Sequence, residues 1–281
     1  MRLTGTTRLA VVIGRPVRHS LSPVLHNAAF VATRLDWVYV ALEVGAGRGA
    51  AAMDAVRTLG IAGVSVTMPL KAEVAAAVDR LGPAAEVLGA VNCVVATDGE
   101  LTGHNTDGGG LLAALAADPG FDPRGSSCVV VGAGGAARAV ILALARAGAE
   151  AVTVVNRDPG RAARAAGLAG AAGRVGRVSD IAGADLVVQA TPLGMDPRRD
   201  PLPFPADLMA PGQILADLIY HPGETPLMAA VRARGVTAVN GSGMLLHQAA
   251  LAFELWTGET APLEAMAGAL TAGIRSREPQ P

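Results

Sequence analysis

The chain has 281 residues, 51% of them hydrophobic and 17% charged, with a formal net charge of −1. That size and apolar content suit one large domain or two ordinary ones, and the near-neutral charge argues against a nucleic-acid or acidic-membrane partner. Only two cysteines occur, Cys93 and Cys128, each beside a valine run. They read as small core residues, not as a disulfide framework or a metal site. The segment Met1–Ile13 has too short an apolar run for a signal peptide, and the longer apolar stretches are broken by Arg138 and Arg146. No spanning helix is expected, and the cytoplasm is the expected compartment.

Strand-like runs at Leu9–Ile13, Trp37–Leu42, Gly63–Val66 and Asn92–Ala96 alternate with helical stretches at about Pro23–Thr33, Gly49–Leu59 and Lys71–Arg80. A hinge is expected near Asn105–Gly110, followed by a helix and the turn-rich stretch Asp118–Ser127. The alternation then repeats. Strands fit at Cys128–Val131, Ala151–Val155, Leu186–Gln189, Ile214–Ile219 and Thr237–Val239, with helices at Ala136–Ala147, Arg161–Ala169 and Thr225–Arg234. Beyond Gly243 the pattern is helical, with one break at Gly258–Pro262, and Ser276–Pro281 is expected to fray. Strands alternating with helices predict an α/β fold of two domains on mainly parallel, covered sheets.

Twenty-two of the 23 basic residues are arginine, and Lys71 is the only lysine. Arginine replaces lysine freely on a solvated surface, but not where an amine must give up a proton, because guanidinium stays charged at ordinary pH. A lone lysine in so arginine-biased a chain is the first catalytic candidate.

Strand Cys128–Val131 runs into Gly132, Ala133, Gly134, Gly135, Ala136 and Ala137, the spacing G-x-G-x-x-A, and then into an alanine-rich helix. The first glycine permits a tight turn, the second lets backbone approach a pyrophosphate, and the third position needs a small residue for helix–strand packing. The helix N-terminus adds free N–H groups and partial positive charge. With the strand before it and the helix after it, the motif predicts a Rossmann dinucleotide-binding domain. At the end of the next strand, Asn156, Arg157, Asp158 and Arg161 stand where NAD-binding chains usually carry an acid for the ribose 2′-hydroxyl. Arg157 and Arg161 could clasp a 2′-phosphate, which favours NADP. Asp158, the expected N-cap before Pro159, adds a negative charge there and keeps NAD as the alternative.

Four segments of the first half carry polar groups in apolar or glycine-rich surroundings. In Gly14–Pro23, Ser22 reads as a helix N-cap with Pro23 in the first turn, and Ser20 brings a second hydroxyl. Two hydroxyls at a helix N-terminus suit a carboxylate ligand. Ser65–Lys71 runs from a strand end into a helix, with Thr67 as a possible turn cap before Pro69. Asn92 ends Gly89-Ala-Val-Asn at the edge of a valine-rich strand, and Asp107, in Gly103-His-Asn-Thr-Asp-Gly108, reads equally well as an N-cap or as a site residue. The histidines His19, His26, His104, His221 and His247 share no metal-ligand spacing and read as bland.

In this order the segments resemble the HS-x-S-P, VT-x-P-x-K, GAVN and G-x-NTD-x-x-G patterns of the shikimate dehydrogenase family. The likeness continues through GAGGAA at Gly132–Ala137, NR at Asn156–Arg157, ATP-x-GM at Ala190–Met195, D-x-IY at Asp217–Tyr220 and the segment Gly241–Gln248. It spans about Val12 to Gly258. The resemblance implies a substrate domain of residues 1–106 and 242–281, with the final helices returning to it, and a Rossmann NADP domain of 107–241. It implies that Ser20 and Ser22 hold a substrate carboxylate, and that Thr67, Asn92, Asp107, Tyr220 and Gln248 bind ring hydroxyls. Lys71 would exchange the proton of the reacting oxygen, partnered by Asp107. Gly132–Ala136, Asn156–Arg161, Thr191, Leu218 and Gly241 would line the cofactor groove. The implied activity is NADP-dependent shikimate dehydrogenation by a cytoplasmic monomer or homodimer. The rivals are a quinate or aminated-analogue enzyme using NAD, and a non-catalytic dinucleotide-binding regulator. Ser65 stands where many members have asparagine, and Asp158 where NADP-specific members commonly carry a small hydroxyl residue; closure is expected about Asn105–Gly108 and Asn240–Gly243.

Overall fold

A β-branched run makes Arg8–Gly14 the first strand, β1, buried over its last five residues. In the computed structural model, which describes residues 3–276, the elements that follow are α1 (Ser22–Thr33), β2 (Trp37–Glu43), α2 (Gly49–Leu59), β3 (Gly63–Val66), α3 (Lys71–Ala75), β4 (Arg80–Leu81), α4 (Pro83–Leu88), β5 (Cys93–Thr97) and β6 (Glu100–His104). They form one six-stranded sheet of order β2-β1-β3-β5-β6-β4. The β1–β2, β1–β3 and β4–β6 ladders are parallel, whereas β5 runs antiparallel to both β3 and β6.

Two differences from the sequence reading have local causes. The stretch expected to be one helix over Lys71–Arg80 stops at Ala75, because the Asp79 N–H turns to the Leu101 carbonyl at 2.9 Å and Pro83 starts a new helix. The strand β6 was not expected. It is joined to β5 by a two-residue hairpin at Asp98 (φ 50°) and Gly99 (φ 85°), a conformation that Asp-Gly favours.

The second unit begins with α5 (Asp107–Ala117) and continues as β7 (Ser127–Val131), α6 (Gly135–Arg146), β8 (Ala151–Val155), α7 (Pro159–Ala166), β9 (Gly173–Val175), β10 (Leu186–Gln189), β11 (Ile214–Asp217), α8 (Pro226–Arg232) and β12 (Thr237–Val239). Its sheet has the order β12-β11-β10-β7-β8-β9 and every ladder is parallel. Counted within the unit, this is 3-2-1-4-5-6, the order of the dinucleotide-binding fold, with its switch point between β7 and β10. The expected α/β class and the Rossmann sheet are both present. β9 was not expected: three residues, two of them well exposed, carry no periodicity. The helix expected from Arg161 starts at Pro159, and the strand expected to reach Ile219 ends at Asp217.

The chain closes with α9 (Ser242–Thr257) and α10 (Leu263–Arg275). The two units are residues through Thr106 with those from Leu246 onward, and Asp107–Leu245. The second crossing thus falls inside α9, where the sequence reading has it at 241/242. The last helices pack on the first unit, as the Trp256 indole N–H bonded to the Val94 carbonyl at 2.9 Å and the seat of Gly273 against Leu21 and Val24 both require. Of the expected frayed tail, Ser276 caps α10 and residues 277–281 lie outside the described residues. Both cysteines are buried and free, as expected.

Candidate active site

In the first unit the polar segments gather at one end of the sheet. That end holds the C-termini of β1 and β3 and the start of antiparallel β5. The loops leaving β1 and β3 are fastened together by Arg15 N–H to the Met68 carbonyl at 2.9 Å and Thr67 N–H to the Ile13 carbonyl at 3.0 Å. Ser20 and Ser22 lie on the first loop and its helix. Leu21, not Ser22, is the N-cap of α1: Ser22 is already the first helical residue and its hydroxyl caps nothing. It accepts instead from the Ser20 hydroxyl at 3.1 Å, while the Ser22 N–H also points to Ser20 Oγ at 3.2 Å. The two hydroxyls expected to share a carboxylate are therefore side by side.

Thr67 does not cap its turn with its side chain either. The turn closes through backbone, Leu70 N–H to the Thr67 carbonyl at 3.0 Å, and the Thr67 hydroxyl has no partner among the described residues. Lys71 opens α3 at this same strand end. Its backbone is pinned, because its carbonyl accepts from Val91 N–H at 2.9 Å. Two residues on, Glu73 binds the Gly47 and Gly49 N–H groups at 2.9 Å each, at the start of α2. Those backbone donors hold the Glu73 carboxyl below its ordinary pKa.

Asn92 is 4% exposed and forms the centre of a buried network. Its side-chain carbonyl accepts from Thr106 N–H at 2.7 Å, and its amide donates to Thr106 Oγ1 at 2.9 Å. Thr106 Oγ1 in turn donates to the Gln248 carbonyl at 3.2 Å. Asn92, Gln248 and the strand end at Val66, whose N–H reaches the Asn92 carbonyl at 2.7 Å, are thus one assembly. Asp107 follows Thr106 directly and is the first residue of α5, only 7% exposed.

In the second unit the expected cofactor residues all follow C-terminal strand ends: Gly132–Ala136 after β7, Asn156–Arg161 after β8, Thr191 after β10, Leu218 after β11, and Gly241 after β12; Tyr220, expected to bind a ring hydroxyl, also follows β11. In open α/β sheets that edge is where ligands bind. Gly132 has φ 122°, and a Cβ there would lie 2.8 Å from the Ala190 carbonyl oxygen across the switch point, so no side chain fits. A Cβ on Gly134 or Gly135 would meet nothing within 4 Å, and Gly134 caps α6 without any side-chain bond. Open space over the start of a twelve-residue helix fits a pyrophosphate. Gly241 is pressed against the Leu218 backbone, and its N–H donates to the Ile219 carbonyl at 2.9 Å, which makes two of the expected lining residues neighbours.

Asp158 is the N-cap expected for α7. Its Oδ1 accepts from Arg161 N–H at 2.9 Å, and its carbonyl accepts from the Asn156 amide at 3.0 Å. Its charge is thereby spent on a helix N-terminus, while Arg157 and Arg161 are exposed and make no ion pair among the described residues.

Two organising residues were given no role in the sequence reading, although Asp217 opens its D-x-IY motif. Gln189, fully buried at the end of β10, accepts from Thr191 N–H at 2.7 Å and donates to the Thr191 and Leu193 carbonyls at 3.1 and 3.0 Å, which shapes the whole Thr191 loop. Asp217, 1% exposed at the end of β11, accepts from Thr225 Oγ1 at 2.7 Å and Ile219 N–H at 3.1 Å. Burial raises its pKa, and those two donors only partly offset it. A polar residue ending an otherwise apolar strand was the available signal for both. Among the described residues no group of three His, Cys, Asp or Glu side chains could hold a metal ion, and no helix is long and apolar enough to cross a membrane.

Comparison with known proteins finds relatives over most of the chain. Residues 12–94 match the model of the shikimate dehydrogenase substrate binding domain, 115–192 that of shikimate / quinate 5-dehydrogenase, and 241–271 that of the shikimate 5'-dehydrogenase C-terminal domain. A shikimate dehydrogenase (NADP(+)) of Rubrobacter xylanophilus is 47% identical over 279 residues, covering 96% of this chain and 98% of that one. A crystal structure of shikimate 5-dehydrogenase from Thermus thermophilus, in complex with NADP(H) and shikimate, superposes with a TM-score of 0.88 at 37% identity, covering 95% and 99% of the two chains. A quinate dehydrogenase from Corynebacterium glutamicum in complex with NAD has a TM-score of 0.87 at 32% identity, with coverage of 95% and 99%.

Proposed function

Since the chain belongs to the shikimate dehydrogenase family, we propose that it catalyses the reversible NADPH-dependent reduction of 3-dehydroshikimate to shikimate, the step that serves aromatic amino-acid biosynthesis. The observation that carries the reading is the placement of the only lysine, Lys71, at the strand-end edge where the Ser20–Ser22 hydroxyl pair, Thr67 and the Asn92–Thr106–Gln248 network also lie. In this reading residues 1–106 and 242–281 hold the substrate and 107–241 hold the nucleotide. The protein works in the cytoplasm as a monomer or homodimer.

Each role follows from its chemistry. Reduction of a ketone builds negative charge on its oxygen, so an acid must deliver a proton there, and in the reverse direction a base must remove one. Lys71 does both, with Asp107 holding the amine in place. Ser20 and Ser22 donate to the ring carboxylate, and Thr67, Asn92, Tyr220 and Gln248 orient the ring hydroxyls. NADP, when bound, supplies or accepts the hydride. Gly132, Ala133, Gly134, Gly135 and Ala136 would cradle its pyrophosphate, and Asn156, Arg157, Asp158, Arg161, Thr191, Leu218 and Gly241 the rest of its groove.

Initial rates of purified protein with shikimate and quinate, each against NADP and NAD, test the proposal. Turnover mainly with shikimate and NADP is expected. A preference for quinate or NAD moves the chain to the branch of its Corynebacterium relative, and no turnover with any pair removes the proposal.

Cofactor choice gives a second prediction. Arg157→Ala and Arg161→Ala should each raise KM for NADP by about tenfold, the order expected for one lost charge-assisted contact, and leave KM for NAD unchanged. Equal losses with both cofactors in the same steady-state assay would show that neither arginine reads the 2′-phosphate.

A further inference from the structure

The end of the second unit's sheet away from the glycine turn holds a cavity of about 230 Å³ that the proposed reaction leaves unused. Its floor is one face of the sheet, and strand register explains its polarity. Val129 of β7, Thr153 of β8 and Arg174 of β9 are direct neighbours across the ladders. Alternation puts Ser127 on the same face, two residues before Val129. Further along, that face is apolar: Val129, Val131 and Val155 share one buried cluster with Ile181. The 3₁₀ turn Val178–Gly183 supplies the other wall through Ser179 and Asp180.

The polar groups of this lining are uncommitted. Thr153 is only 1% exposed, yet its hydroxyl makes no hydrogen bond among the described residues. A Cβ on Gly176 would collide with the Thr153 methyl and with Asp180 Oδ2, so the chain leaving β9 is pressed on the methyl side. The hydroxyl is left to the cavity. Burying a hydroxyl without a partner is costly, and one turned into a polar cavity points to a ligand atom there. The Ser127 and Ser179 hydroxyls are likewise unbonded among the described residues, and Arg174, at the exposed rim, makes no ion pair among them. Ser127 is fixed through its backbone, whose N–H donates to Asp185 Oδ2 at 2.8 Å. Asp180 accepts from Arg177 N–H at 2.7 Å through Oδ2, which leaves Oδ1 as an acceptor.

Together the lining offers one guanidinium, three hydroxyls and one carboxylate oxygen. A guanidinium selects a carboxylate or another oxyanion. Asp180 repels a bare inorganic anion and favours a ligand that brings an O–H to donate. The volume lies below the roughly 300–1,000 Å³ of sites for drug-sized ligands, so the occupant is small. We propose that this cavity binds a small hydroxy acid: its carboxylate pairs with Arg174, and its hydroxyls bond Thr153, Ser127 and Ser179 and donate to Asp180. The cavity begins at Ser127, the first residue of β7, whereas the expected nucleotide groove follows the last. The two sites are distinct, and this proposal stands apart from the functional reading.

Calorimetric titration of the full chain with D-glycerate, propionate and glycerol tests it. D-glycerate carries both a carboxylate and hydroxyls, and each of the others lacks one of the two. D-glycerate should bind saturably and about tenfold more tightly than either. Arg174→Gln should weaken it about tenfold, and Thr153→Val, which keeps the shape and removes the hydroxyl, about fivefold. Arg174 sits at the rim, so its variant carries the test even if Thr153→Val unfolds, which an unfolding midpoint reads. Absence of saturable D-glycerate binding overturns the proposal. Binding that Arg174→Gln leaves unchanged places the ligand elsewhere and overturns it too. Propionate or glycerol binding as tightly as D-glycerate removes the hydroxy-acid class.

Discussion

Lys71→Arg is expected to lower turnover by about 10²–10⁴-fold, the contribution of a positioned general acid–base, while NADP binding stays within twofold. The positive charge survives this change and so does the backbone. Lys71 enters α3 with its carbonyl held by Val91, and Glu73 anchors the same short helix to the start of α2. What is lost is a group that can release and retake a proton, since guanidinium does neither near neutral pH. Steady-state kcat with shikimate and NADP, paired with a fluorescence titration of NADP, separates the two effects. Near-normal kcat would take Lys71 out of the chemistry, and loss of NADP binding would make its role structural.

The second large effect is on stability. Lowering the pH from 6.5 toward 3 should weaken the first unit by about 1.4 kcal/mol per pH unit through His26 alone, approaching 4–5 kcal/mol at the acid end. His26 is fully buried with both ring nitrogens unpartnered, and burial drives its pKa from 6.5 to about 3. The elements packed on it present Tyr39 at 4.4 Å, Trp256 at 4.9 Å and Phe30 at 6.3 Å. Of these only the Tyr39 phenol can ionise, and it stays neutral, so no opposite charge among them offsets the desolvation of an imidazolium. The unfolded chain takes up a proton near pH 6.5 and the folded one only near 3. Stability is therefore full above the upper value and lost as pH falls through the window. Urea denaturation of wild type and His26→Phe at pH 7, 5 and 4 isolates the term, because the carboxylates titrate in both proteins. The variant should show the shallower acid limb; parallel pH curves would rule out His26 as the source.

His26 also shows where reading a sequence stops. In the chain it is one of five histidines without metal spacing, and nothing local marks it as the stacking partner of Tyr39. The helix N-terminus at Ser22-Pro23 was legible to within one residue, but not the identity of the cap. Leu21 takes that position, and the Ser20 and Ser22 hydroxyls bond each other instead of capping. Strands β4, β6 and β9 carry too few core-facing residues for periodicity to reveal them. For β6 the Asp98-Gly99 turn was the one cue available.

The sequence by itself determined the alternation of strands and helices, the glycine turn that opens α6, the Asp158 cap before Pro159, the two buried cysteines and the singular status of Lys71. These are local properties: periodicity, turn chemistry and composition act over a few neighbouring residues. Only the tertiary structure decided the mixed β2-β1-β3-β5-β6-β4 order, the Asn92–Thr106–Gln248 network, the grip of Gln189 on the Thr191 loop, and the use of the Asp158 carboxylate to cap α7 while Arg157 and Arg161 stay exposed. Most of these depend on the pairing of segments far apart in the chain, with Thr106 and Gln248 separated by 142 positions. The Asp158 and Gln189 contacts are short in sequence, but they depend on which way a side chain turns in its folded surroundings, and no local pattern records that choice.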